Sequence, residues 1–147
     1  MTTLNNILNA HNQTKYATDT GRKNHTKLRH IHFDGTNWHG DETTINKIKK
    51  QPELLRFFTQ NSRSEVPIAG HINGRFISRR IDRLVINDEN KNILILDYKS
   101  DIDKDINREQ YFHQINEYRQ LLHQIYPKYK ISGYILWLHD FVLEKII

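Results

Sequence analysis

Between Ser64 and Ser100 the chain carries three apolar, β-branched runs separated by two polar turns, and this punctuation restricts its fold more than any other feature. Asn73-Gly74 is the dipeptide that two-residue type I′ hairpins prefer. "NDENKN", from Asn87 to Asn92, is a second polar turn. The runs on either side are rich in Ile, Val and Leu, as strands are. Together they predict a three-strand antiparallel meander. Its third strand, Ile93 to Tyr98, is the most apolar and is expected to be central.

The flanking segments read as helices. Leu4, Ile7 and Leu8 mark a short amphipathic stretch, and Gly21 to Phe33 reads as a helix opening after Thr20. Ile45, Ile48, Leu54, Leu55, Phe57 and Phe58 mark a further helical segment that Pro52 breaks or restarts. After the meander, Tyr111, Ile115, Tyr118, Leu122 and Ile125 recur at helical spacing until Pro127. Ile131 to Asp140 reads as another buried strand. The order predicts an α/β fold with a mixed sheet covered by helices. One domain is expected over 1–147, with a helical part at 1–60 and a sheet core at 64–139 carrying a helix at 107–126.

Composition removes several functions. The chain has no cysteine, which excludes disulfides, zinc–thiolate sites and cysteine-held iron–sulfur clusters. Nothing matches G-x-x-x-x-G-K-[ST], so no nucleotide is expected on a P-loop. "MTTLNNILNAHNQ" lacks the basic and apolar regions of a secretory signal, and no apolar run reaches membrane-spanning length. A soluble, cytoplasmic protein with no membrane partner is the expectation. Net charge is +5 with nine histidines counted neutral. That favours a polyanion such as nucleic acid, although a lysine- and asparagine-rich composition gives the same charge without one.

The end of the central strand carries the chemistry. After solid aliphatics from Ile93 to Leu96 come Asp97, Tyr98 and Lys99, three residues a buried strand should avoid. Residues two apart share a face, so Asp97 and Lys99 point together and Tyr98 points away. In a meander, Asp82 at the head of the second strand falls beside Asp97. Two carboxylates so placed repel unless a cation neutralises them. Mg²⁺ suits oxygen donors and leaves room for substrate phosphate oxygens. It polarises a phosphoryl oxygen and acidifies bound water, while Lys99 is placed to stabilise charge in the transition state. The plainer reading makes Asp97–Lys99 a strand-end ion pair and Asp82 a solvated edge residue.

"SEVPIAG", "IDRLVI", "ILDYKSD", "YFHQINEYRQLL" and "GYILWL", taken in order, resemble successive motifs of the PD-(D/E)XK nuclease superfamily. More narrowly they resemble the C-terminal nuclease domain of AddA/RecB-type helicase–nucleases, which act in double-strand break repair. "GRKNHTKL" resembles that family's G-x-x-x-H helix, and the likeness covers most of the chain from Gly21 onward. It implies a restriction-endonuclease-like core and a Mg²⁺ cofactor, with Mn²⁺ as a substitute. His25, Asp82 and Asp97 would then be metal ligands, joined by the Tyr98 main-chain carbonyl, and Lys99 would be catalytic. Gln114 and Tyr118 would contact DNA or support the site. Tyr118 also fits the apolar stripe of its helix, His25 is one of nine histidines, and Glu65 reads as an edge-strand charge.

Two departures from the family pattern stand out. Arg79-Arg80 occupies the place where the family usually has glycine before the first aspartate; the pair either perturbs the site or adds phosphate contacts. The helicase motor is also absent from this sequence. The resemblance implies DNA as substrate and a separate helicase subunit as a partner. The competing readings are an inactive DNA-binding or docking module and, more remotely, an RNA-binding protein, against which the lack of an RNP1-like stacking motif counts.

Overall fold

The computed structural model describes residues 21–147. The stretch around Leu4, Ile7 and Leu8 lies outside them. Strands β3 (Ser62–Ile72) and β4 (Arg75–Asn87) form a long hairpin. Asn73 and Gly74 join them with φ of 52° and 78°, the two left-handed residues that a type I′ turn requires. Strand β5 (Asn92–Lys99) follows a turn in which Asn87 Oδ1 accepts from the Asn90 N–H at 3.1 Å and Lys91 takes a positive φ. The expected meander is therefore present.

Helix α4 (Arg108–Ile125) then carries the chain across one face of the sheet to β6 (Lys130–Trp137), which lies parallel to β5. A last strand, β7 (Val142–Lys145), pairs antiparallel with β6. The order is β3-β4-β5-β6-β7, so β5 is central, as its unbroken aliphatic run implies. The architecture is α/β with a five-stranded mixed sheet.

Both faces of the sheet are covered. Along β5, Leu96 and Tyr98 turn toward Leu28, Ile31, Ile48, Leu54, Phe57 and Phe58. These come from α1 (described over 21–29), α2 (Glu42–Lys49), α3 (Pro52–Leu55) and adjoining turns. Ile93 and Ile95 turn the other way, onto Tyr118, Leu121 and Leu122 of α4. Each aliphatic side chain buried this way contributes about 1.5–3 kcal/mol. Asp41 caps α2, its Oδ2 accepting from the Thr44 N–H at 3.0 Å, and Pro52 sits in the first turn of α3. The break expected at Pro52 is real.

Four expectations need correction. The helix after Thr20 stops at residue 29 instead of running to Phe33. His32–Phe33 (β1) pairs with Trp38–His39 (β2), so the segment before residue 60 is not wholly helical. Asp34-Gly35 is the reason: Asp34 accepts from the Thr36 and Asn37 N–H groups at 2.8 and 2.7 Å, and Gly35 supplies φ of 99°. The strand expected to reach Asp140 ends at Trp137, and the chain turns back through Phe141, φ 57°, into β7. Ile125, placed in the apolar stripe of α4, is 57% exposed in the last turn of the helix.

Candidate active site

The site lies beside α1, where β5 ends and its pairing with β4 stops, partway along the β3–β4 hairpin. Pairing of β4 with β5 runs from Asn87↔Asn92 to Arg83↔Leu96, and Asp82 and Asp97 stand one step beyond. Asp82 Oδ2 accepts from the Tyr98 N–H at 2.8 Å, which fastens the two strands at this level. On β3, Ser64 pairs with Arg83 and Val66 with Ile81, leaving Glu65 level with Asp82 and outside the ladder at φ 55°. Three adjacent strands thus bring Glu65, Asp82 and Asp97 to one row. A left-handed non-glycine residue there costs of order 1 kcal/mol or more and is characteristic of functional segments.

Asp97 is buried, at 2% exposure. Its Oδ2 meets Lys99 Nζ at 2.8 Å, off the hydrogen-bonding direction, and has no hydrogen-bond partner. Burial and, secondarily, the neighbouring Asp97 carboxylate push the Asp82 carboxyl up to about 8, against the opposing Tyr98 N–H bond. Lys99 is held on three sides. Besides Asp97, its Nζ donates to Gln114 Oε1 at 2.9 Å and lies 4.2 Å from the centroid of the Tyr111 ring. Gln114 Nε2 donates to Tyr118 OH at 2.8 Å, and that hydroxyl donates to the Arg80 carbonyl at 3.2 Å. Gln114 and Tyr118 therefore support Lys99 from α4, and Tyr118 is also core.

His25 lines a cleft of about 610 Å³ together with Glu65, Asp82, Ser100, Arg22 and Arg29. Its ring packs edge-on against Tyr98, centroids 5.6 Å apart, and meets the Tyr98 main chain. Burial lowers its pKa, and the Asp97 carboxylate opposes that, so the imidazole is neutral at neutral pH. A Cβ at Gly21 would meet Ser100 Oγ at 2.6 Å, so glycine there lets α1 lie against the end of β5. Arg79 and Arg80 are engaged by carboxylates, Arg79 by Glu117 at 3.2 Å and Arg80 by Glu65 at 3.3 Å. In this arrangement Arg80 engages the outer acid of the row, Glu65, and neither guanidinium forms an ion pair with Asp82 or Asp97.

As a metal site the donor set is partial. Asp82 and Asp97 offer hard oxygen donors side by side, and an orphaned buried oxygen on Asp97 suits an oxygen-seeking cation. Among the described residues no three His, Asp or Glu side chains form a group in a metal-holding arrangement. Glu65, which shares the row, is turned to Arg80.

Two groups of residues escaped the sequence reading. Arg83, on the face of β4 opposite Asp82, is fully buried. It donates to Tyr98 OH at 2.9 Å, Ser62 Oγ at 2.7 Å and the Leu28 and Ile31 carbonyls at 2.8 and 2.9 Å. Its guanidinium lies 4.2 Å from the centroid of Phe58. It therefore ties the end of α1, and with it His25, to the strand bearing Asp82. The signal was a lone arginine inside "IDRLVI". Tyr111, whose OH donates to the Asp101 carboxylate at 2.8 and 2.9 Å, was read only as helix core.

No family model matches this chain, and no curated protein matches it. No helix among the described residues is long and apolar enough to cross a membrane.

Proposed function

We propose that this chain is a Mg²⁺-dependent DNA nuclease domain with a restriction-endonuclease-like core, hydrolysing phosphodiester bonds in end processing or recombinational repair. One observation carries the reading: Asp82 and Asp97 side by side where the β4–β5 pairing stops, with Lys99 Nζ 2.8 Å from Asp97 and braced by Gln114. Asp82 and Asp97 would hold the metal, joined by His25 and the Tyr98 main-chain carbonyl. The metal would supply Lewis-acid activation of the phosphoryl group and a water of lowered pKa. Lys99 would place a fixed positive charge beside the reacting phosphate, where a dry site makes it most effective. A separate helicase subunit is the proposed partner, and the cytoplasm the proposed location.

The competing reading, an inactive DNA-binding or docking module, draws on the two-carboxylate donor set among the described residues. Degradation of linear single- and double-stranded DNA with Mg²⁺, with Mn²⁺ and with EDTA separates them. Metal-dependent cutting that drops at least about a hundredfold in Asp97→Ala and Lys99→Ala supports the nuclease. No cutting by any of the three proteins, with salt-sensitive DNA binding retained, supports the module.

A further inference from the structure

We infer that Arg22 and Arg29 of α1 form a phosphate clamp that grips the DNA strand on both sides of the phosphate lying at Asp82. The inference rests on the nuclease reading for the identity of the strand, and its own evidence is the cleft. Arg22, His25, Thr26 and Arg29 stand at i, i+3, i+4 and i+7, one stripe of a helix. All four line the cleft that also holds Asp82. Both arginines are exposed, and neither has a carboxylate within salt-bridge distance among the described residues. The other cleft acid, Glu65, is engaged by Arg80.

Spacing sets the chemistry of the ligand. Seven residues of helix span about 10 Å, far enough apart for the two arginines to meet different phosphates of one strand. His25 lies between the arginines, over the end of β5. A strand running along α1 would therefore meet one guanidinium on each side of the reacting phosphate. Guanidinium forks match phosphate oxygens two at a time, so the pair also fixes the direction of the backbone. The substrate is thereby defined as a polymer with phosphates flanking the cut, not a mononucleotide or an isolated diester.

The test is binding of a fluorescein-labelled oligothymidylate of about 20 nucleotides, a length that exceeds a typical single-strand site. It is followed by anisotropy in EDTA across a salt series. Arg22→Gln/Arg29→Gln is compared with wild type and with Arg75→Gln/Arg119→Gln, which removes the same charge away from the cleft. Circular dichroism confirms that each variant is folded. Two lost contacts should reduce the log–log salt slope by about 1.4, a loss of about 25-fold in affinity near 0.1 M salt. The control pair should lose less than about threefold, and Arg22→Lys/Arg29→Lys should keep the slope. Equal losses in both double variants, an unchanged cleft variant, or a wild type that does not bind would each overturn the clamp. Cleavage assays on the same preparations separate the two ideas: a clamp-dependent slope without Mg²⁺-dependent cutting would refute the nuclease and leave the clamp standing.

Discussion

Asp97, Lys99 and Arg83 show how charge can be carried inside a sheet when each group has a dedicated counterpart. Lys99 is wedged between a carboxylate, an amide oxygen and an aromatic face. Gln114 is the brace, and on the nuclease proposal Gln114→Leu should reduce DNA cleavage about tenfold through a misplaced ammonium, with little change in melting; equal rates in mutant and wild type would show that Lys99 needs no brace. Arg83 is a buried cation whose hydrogen bonds go to neutral groups. Arg83→Met leaves the Leu28 and Ile31 carbonyls and Tyr98 OH without their donor, and should cost about 2–4 kcal/mol in urea unfolding. A loss below about 1 kcal/mol would mean that water replaces it. The acid–x–lysine pair was legible because period-two geometry alone puts residues 97 and 99 on one face. The roles of Arg83 and Tyr111 were not: Arg83 depends on partners as distant as Leu28, and Tyr111 on a loop that brings Asp101 back to the start of α4.

At the scale of elements, the β5-α4-β6 unit positions the site. Helix α4 delivers Gln114 to Lys99 only if it lies close against the sheet, and Gly133 on β6 permits that approach. A Cβ there would collide with the Ile115 side chain and crowd Ile147 at 3.0 Å. Gly133→Ala should therefore destabilise the fold by about 1–3 kcal/mol and weaken cleavage beyond what the stability loss explains. Denaturant midpoints and single-turnover rates measured together check this; an undisturbed midpoint would contradict the packing. The small β1–β2 sheet was missed for a local reason. Asp34-Gly35 is turn chemistry inside a stretch whose apolar spacing otherwise suits a helix.

For the whole molecule, both faces of the sheet carry tyrosines that resist ionisation in place. Burial pushes Tyr98 up to about 12, offset in part by Arg83, and burial with the Asp101 bond pushes Tyr111 up to about 12. Tyr118 is displaced in the same direction, mainly by burial. An acid whose folded pKa is raised contributes stability that is complete below its unfolded pKa and lost as pH rises through the folded one. Above the range in which Asp82 titrates, the chain should hold its stability to about pH 10 and lose it progressively toward about pH 12. Urea unfolding at about pH 9 and about pH 11 tests this, and Tyr98→Phe should narrow the difference. A stability independent of pH over that window would show that these phenols ionise freely.

The sequence alone determined the meander, the central place of β5 and the adjacency of Asp82 and Asp97. Each follows from turn chemistry and strand periodicity, which act over a few residues. Tertiary structure decided the rest. It put Glu65 in the same row and turned its carboxylate to Arg80. It set α1 over the end of β5, so that His25 and two arginines share a cleft with Asp82. Those placements arise from packing between segments tens of residues apart, where no local pattern records which side chains will meet.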